Sequence, residues 1–127
     1  MNMKNIDFLF IGMFIVSLNS IAQTVNTGDL VVVPGTVLST VSSFNNTSTG
    51  SLINDGDLYV YSHWNNNGIV DFIGATGVTR YLGSSKQQIT GNNPSYLYDV
   101  LFDNRAMTTP FELYGVLNVQ NEAFFNN

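Results

Sequence analysis

The chain has no cysteine and few charged residues. Only 10% of its 127 residues are charged, and the formal net charge is −5. Without cysteine, an exported form must be stabilised by burial and hydrogen bonds instead of disulfides, and a lipid-modified N-terminal cysteine is excluded. Three basic residues, Arg80, Lys86 and Arg105, follow the first 22 positions. They are too few to neutralise a phosphate backbone, so nucleic acid is not expected as a partner.

Helical periodicity is lacking as well. Glycine, asparagine, threonine and serine interrupt every window that begins an i, i+3, i+4, i+7 pattern. Short runs of β-branched and aromatic residues between turn residues are plentiful instead. They predict an all-β fold whose strands are Asp29–Val33, Thr36–Val41, Ser51–Asn54, Asp57–Tyr61, Ile69–Ile73, Val78–Leu82, Leu97–Asp103 and Val116–Gln120.

Residues 1–22 have the layout of a secretory signal peptide. Lys4 precedes an apolar run from Phe8 to Leu18, and Ser20 and Ala22 put small residues three and one before a cut ahead of residue 23. The run is too short for a transmembrane helix, which needs about 20 apolar residues. We therefore predict a secreted or cell-surface protein, with a β-repeat segment over residues 23–127.

A short repeat recurs along that segment. The pattern G-x-L-x-V begins at Gly28, Gly56 and Gly115, and a looser copy begins at Gly68. Its third and fifth side chains share one face of a strand. A single rung cannot bury that face until another stacks on it, which favours a parallel β-helix or solenoid. An antiparallel β-sandwich stays open as the alternative, because Asp-Gly and Asn-Gly pairs also suit hairpin turns.

His63 and Trp64 are the only histidine and the only tryptophan. No second ligand or carboxylate lies at a spacing that would define a zinc site or a nucleophilic triad. We therefore predict no catalytic residue, no metal site and no cofactor. Trp64 and Tyr61 are weak ligand-contact candidates, since aromatic rings can stack on sugars, but packing in the core is the favoured interpretation.

The segment Asn54-Asp55-Gly56-Asp57 has the oxygen-rich composition of part of a calcium-binding turn. The later bidentate glutamate of such a loop is absent. A simple Asp-Gly turn is therefore the favoured interpretation.

Four segments after residue 70 follow one another in a recognisable order: Asp71–Gly74, Gly83–Gly91, Tyr98–Asn104 and Gly115–Val119. Their succession resembles a repeat of large surface proteins of the Bacteroidota, in which a G-x-x-x-Q-x-I-x-G corner lies between strands. The resemblance covers roughly residues 50 to 120. It implies a secreted β-solenoid or adhesin-like stalk. Many such proteins end in a sorting domain read by the type IX secretion machinery, and because that domain is absent here, we expect an N-terminal fragment.

Two functions follow as expectations. The first is a non-catalytic structural or adhesin-like segment of an exported bacterial surface protein, which contacts a glycan or another surface protein. The alternative is a carbohydrate-binding or polysaccharide-cleaving β-helix module. Within the corner, Gln87 and Gln88 are expected to satisfy backbone groups at the bend. The side chains expected in the interior are Ile89, Leu97, Val100 and Phe102.

Overall fold

The computed structural model describes residues 22–126, which form thirteen β-strands and contain no helix. No helix that could cross a membrane therefore occurs in this range. Nearly all of the predicted signal peptide, residues 1–21, lies outside the described residues. The strands are β1 Gln23–Asn26, β2 Asp29–Val32, β3 Val37–Thr40, β4 Ser43–Asn46, β5 Ser51–Asn54, β6 Asp57–Val60, β7 Trp64–Asn66, β8 Ile69–Asp71, β9 Val78–Gly83, β10 Gln87–Thr90, β11 Ser95–Asn104, β12 Phe111–Leu113 and β13 Leu117–Phe125.

The strands wind into five stacked coils with three faces. The first face is the sheet β1-β4-β7-β10-β12, one strand from each coil. The second face contains β2, β5 and β8, and the third contains β3, β6 and β9. In the last two coils these faces are continuous, because β11 pairs with β8 at Ser95 and with β9 from Asp99 to Asn104. β13 follows β11 along both faces.

Every strand pair among residues 22–126 is parallel. The predicted β-solenoid is therefore confirmed, and the antiparallel sandwich is wrong. Gly56 and Gly68 lie at corners of a coil and not in hairpin turns. All eight predicted strands are present, with ends shifted by at most two residues except for the last strand, which continues five residues further to Phe125. The five strands that the prediction missed make up the whole first face, where polar residues replace the β-branched runs.

A ladder of buried asparagines runs along the corner between the first and second faces. Asn26, Asn46 and Asn66 occupy the same position in successive coils, 20 residues apart. The Nδ2 group of Asn26 donates to Oδ1 of Asn46 at 2.9 Å, and Nδ2 of Asn46 donates to Oδ1 of Asn66 at 2.8 Å. At most 8% of each residue is exposed, so these hydrogen bonds form away from water.

The same amides also bind the backbone of the next coil. Nδ2 of Asn46 donates to the carbonyl oxygen of Ile69 at 2.9 Å, and Nδ2 of Asn66 donates to that of Pro94 at 2.9 Å. The ladder ends in the fourth coil. Thr90 pairs with Asn65, so the next residue, Gly91, lies above Asn66 in the position of the ladder. Gly91 has a φ of +128°, and a Cβ there would lie 2.0 Å from the carbonyl oxygen of Asn66. A side chain at this position would therefore prevent the fourth coil from closing on the third.

Apolar side chains form columns beside the ladder. On the first face, the rings of Phe44 and Trp64 stack with centroids 4.7 Å apart. On the third face, the ring of Phe102 stacks between Tyr81 at 5.5 Å and Phe125 at 4.9 Å. Ring stacking of this kind adds to the free energy gained by removing apolar surface from water. The columns therefore hold neighbouring coils together on the first and third faces.

The Gly83–Gly91 segment, predicted as a corner between strands, contains strand β10 of the first face instead, whereas the role predicted for Gln87 is confirmed. Gln87 is buried, and its Nε2 donates to the carbonyl oxygens of Val60 at 3.1 Å and Ser62 at 2.7 Å. The prediction for Gln88 is wrong, because its amide donates to a side-chain oxygen of Glu112 on the outer surface. The predicted burial is confirmed for Ile89, Leu97 and Val100. Phe102 is only half-buried.

The fifth coil is the most exposed part of the described chain. An apolar opening of about 210 Å³ leads to the interior at this end, lined by Ile89, Phe102, Phe111, Leu113, Leu117 and Phe125. One ion pair joins the fourth coil to the fifth on the outside, from Lys86 Nζ to Glu112 Oε1 at 2.6 Å. The hydrogen bond from Lys86 lowers the pKa of Glu112. Both groups are solvated, so the pair contributes little to stability.

Replacement of Asn46 by alanine should lower the free energy of unfolding by about 3 kcal/mol, because it removes the buried hydrogen bonds of this amide to Asn26, Asn66 and the backbone of Ile69. Asn45 is the matched control. It is the adjacent asparagine, lies on the outer side of the strand and accepts one hydrogen bond from Asn65, so Asn45→Ala should cost less than about 1 kcal/mol. Chemical denaturation followed by circular dichroism measures both. Equal losses would contradict a central role of the ladder.

Replacement of Tyr81 by phenylalanine should raise the free energy of unfolding by about 1 kcal/mol. The Tyr81 hydroxyl is buried and has no hydrogen-bond partner among residues 22–126, and burial raises its pKa. Removing it therefore removes a desolvated polar group and keeps the stacked ring. Exposed Tyr96→Phe serves as the control and should change stability little. Destabilisation by Tyr81→Phe would show that the hydroxyl has a partner in solution.

Candidate functional site

Trp64 lies in the core and presents no surface to a ligand. Its exposure is 0%. Its ring stacks on Phe44 and meets Tyr81 edge to face at 6.0 Å, and its Nε1–H donates to Oγ of Ser95 at 3.1 Å. The packing interpretation favoured from the sequence is therefore confirmed for Trp64. The prediction that Trp64 contacts a ligand is wrong, because no part of its ring reaches solvent.

Tyr61 lies on the outside of the coil and is 44% exposed. It borders a shallow depression of about 380 Å³ that also contains Leu82, Ser84, Asp103 and Arg105. Trp64 and Tyr61 thus lie on opposite sides of the coil wall. The sequence placed them in one candidate surface, but the alternation of side chains along the chain separates them.

His63 is exposed at the start of β7. Its Nδ1 atom accepts a hydrogen bond from the backbone N–H of Gln88 at 3.0 Å, which places the proton of a neutral ring on Nε2. Within residues 22–126 no group of three histidine, aspartate or glutamate side chains is positioned to hold a metal ion. His63 therefore joins the third and fourth coils through a side-chain-to-backbone hydrogen bond.

The Asn54–Asp57 segment is a corner between β5 and β6. Oδ1 of Asn54 accepts the backbone N–H of Gly56, and its Nδ2 donates to Oγ1 of Thr79 at 3.1 Å. Asp55 is buried, and its Oδ1 accepts the backbone N–H groups of Ile73 at 3.0 Å and Gly74 at 2.6 Å. The oxygen atoms that suggested a calcium-binding turn are thus used to hold the chain of the next coil.

That neighbouring segment is the loop Phe72–Gly77, which connects β8 to β9. Asp55 holds this loop through its backbone as well as through Oδ1. Its carbonyl oxygen accepts a hydrogen bond from the hydroxyl of Thr76 at 2.8 Å. Gly77 fits closely against the previous coil, since a Cβ there would lie 2.1 Å from the carbonyl oxygen of Asn54. In the next two coils no loop interrupts the wall, because β11 and β13 run straight through this corner. The loop therefore stands out beside a flat surface.

A groove of about 540 Å³ lies where this loop meets the flat surface. Tyr96 lies opposite Asn118, and the Val70–Ser95 pair places Asp71 beside Tyr96. These three side chains therefore lie side by side on three successive coils, over about 10 Å. Phe72 closes one side of the groove, and Gln120 lies along its floor. We refer to these five residues, Asp71, Phe72, Tyr96, Asn118 and Gln120, as the loop groove.

The loop groove combines an aromatic surface with free polar groups. Tyr96 is 47% exposed, and Phe72 is held by an edge-to-face contact with Tyr98 at 5.5 Å. Oδ1 of Asp71 accepts the backbone N–H of Phe72. Among residues 22–126, the side chains of Asn118 and Gln120 form no hydrogen bond, so their amides are available to a ligand.

Sequence analysis did not identify the loop groove. Its residues are distant in sequence and become neighbours only because coils of unequal length stack in register. The one available signal was the outward position of Tyr96, Asn118 and Gln120 in strand-like runs. No family model, curated protein or solved structure matches this chain.

Alanine substitutions at Trp64 and Tyr61 should have opposite consequences. Trp64→Ala should lower the free energy of unfolding by about 4 kcal/mol, as expected for removal of a large buried ring. Tyr61→Ala should cost less than about 1 kcal/mol, because the side chain is on the surface. Circular dichroism is the appropriate signal, since the first variant lacks the only tryptophan. A stable Trp64→Ala protein would contradict the core position.

Proposed function

We propose that this chain is a non-catalytic structural or adhesin-like segment of an exported bacterial cell-surface protein. The observation that carries the proposal is that the interior is filled by side chains that join neighbouring coils. Buried side chains such as Asn46, Trp64 and Tyr81 contact the coils above and below. Such an architecture builds length and a regular outer surface, which are the properties of a stalk or adhesive module.

The setting of the proposal is the cell exterior. It is supported by the leader-like sequence of residues 1–22 and by the sparsely charged, amide-rich composition. The repeat resembles that of secreted solenoids of the Bacteroidota, so we place the chain with surface proteins that use the type IX secretion machinery. In such a protein, a sorting domain outside this sequence would direct secretion.

The arrangement of carboxylates supports a non-catalytic role. The register places Asp99 directly opposite Glu122 on the outer surface, and paired carboxylates are the catalytic groups of most glycoside hydrolases. Here, however, Oδ1 of Asp99 accepts Nδ2 of Asn121 at 2.8 Å and the backbone N–H of Glu122 at 3.1 Å. These bonds hold the irregularity in register between Leu97 and Asp99. The carboxylate of Asp99 therefore has a structural use.

A second candidate function is carbohydrate binding without cleavage. The loop groove favours it, because an exposed aromatic ring lies beside a carboxylate and two amides with free hydrogen-bonding groups. This candidate is compatible with the first, since an adhesive surface segment needs a ligand.

The location can be tested in the organism that encodes the chain. We expect it on the cell surface or in the medium, with Gln23 at its N-terminus when analysed by mass spectrometry. Protease treatment of intact cells should degrade it, whereas a cytoplasmic marker protein serves as the protected control. A protease-protected cytoplasmic protein that retains residues 1–22 would overturn the proposed setting.

The non-catalytic role needs a separate measurement. Incubation of the exported chain with neutral and acidic polysaccharides should release no new reducing ends and no unsaturated uronic acids. A commercial hydrolase and a lyase provide positive controls. Release that disappears in Asp99→Asn and Glu122→Gln variants would establish a polysaccharide-cleaving enzyme instead.

A further inference from the structure

We propose that the loop groove is a binding site for a neutral glycan. The inference rests on the proposed function, since a chain on the cell surface is exposed to extracellular sugars. It goes further by naming the place of contact, the side chains and the class of ligand. The groove volume of about 540 Å³ lies within the usual range of small-ligand sites, about 300–1,000 Å³.

The polar groups of the loop groove suit sugar hydroxyls. A hydroxyl both donates and accepts hydrogen bonds, and the side-chain amides of Asn118 and Gln120 also do both. Asp71 adds carboxylate oxygens that accept only, and just one of them is engaged by the backbone N–H of Phe72. Binding therefore requires no existing side-chain hydrogen bond of Asn118 or Gln120 to be broken.

The aromatic groups suit the apolar face of a pyranose ring. The π-face of an aromatic ring carries partial negative charge, which attracts the polarised C–H groups of a sugar. Tyr96 supplies an exposed ring in the middle of the three-coil row. Phe72 supplies a second apolar wall and is itself fixed by its contact with Tyr98.

The charge of the loop groove selects neutral sugars over acidic ones. Asp71 is its only charged side chain. The basic residues of the described chain lie elsewhere, since Arg80 pairs with Asp57, Lys86 pairs with Glu112 and Arg105 borders the depression beside Tyr61. A uronate, sialate or sulfated glycan would approach a carboxylate with no compensating cation and would be repelled.

The wall of the loop groove is held in place before any ligand arrives. Asp55 binds two backbone N–H groups of the Phe72–Gly77 loop, and its carbonyl oxygen binds Thr76. The floor belongs to β11 and β13, which are paired on both sides of the irregularity between Leu97 and Asp99. A prearranged site lowers the entropic cost of binding. Asp55 therefore acts as a positioning residue for Phe72.

The test is isothermal titration calorimetry of the exported chain with cello-, xylo-, manno- and laminari-oligosaccharides at up to about 10 mM, the range of weak single-site binding. We expect binding of at least one neutral series and none of polygalacturonate or heparin. Tyr96→Ala should weaken the binding at least about tenfold. Tyr61→Ala is the matched control, since Tyr61 has similar exposure, 44% against 47%, and lies in the other depression.

A second variant covers the case in which Tyr96→Ala does not fold. Asn118→Ala combined with Gln120→Ala removes two exposed side chains without hydrogen bonds, so the fold should remain and neutral-glycan binding should fall at least about tenfold. Four results would overturn the inference. Neutral-glycan binding could survive the double variant, it could be lost only in Tyr61→Ala, the chain could favour acidic glycans, or it could bind no glycan at all. A surface-displayed chain that binds no sugar would leave the proposed function intact. A sugar-binding chain in the cytoplasm would overturn the proposed function alone.

Discussion

The buried asparagine ladder is the constraint on which the rest of the solenoid depends. An amide side chain in the interior is costly unless its donors and acceptor are all satisfied. Asn26, Asn46 and Asn66 meet that requirement only when each coil lies directly above the next. The penalty for a shifted register is therefore several unpaired buried groups, and the ladder fixes the alignment of coils more strictly than apolar contacts would.

Once the register is fixed, the outer loops are free to vary. Neighbouring coils are offset by 20 residues at the Asn46–Asn66 step and by 25 residues at the Asn65–Thr90 step, yet their strands remain in register. Extra residues leave the wall at corners, as in the Phe72–Gly77 loop. The interior thus determines the stack, and the corners generate surface features such as the loop groove. This separation explains how a structural repeat changes its outer surface without altering its core.

The accuracy of sequence reasoning differed between the faces. The second and third faces were predicted because their strands, such as Asp57–Val60, have β-branched and aromatic residues in alternation. The first face was missed because strands such as Ser43–Asn46 and Trp64–Asn66 are rich in asparagine, which is typical of turns. Asparagine is tolerated there only because of its partner in the next coil. Local propensity carries no information about such a partner.

The sequence by itself determined the all-β class and the inward face of each G-x-L-x-V strand, because these depend on alternation along one strand. Tertiary structure decided which coils became neighbours. That stacking placed Trp64 on Phe44, brought Asp99 beside Glu122, and assembled Asp71, Tyr96 and Asn118 into one row. The physical reason is that parallel pairing joins residues some 20 or more positions apart, and the lengths of the intervening loops are set by closure of the coil and not by any local pattern.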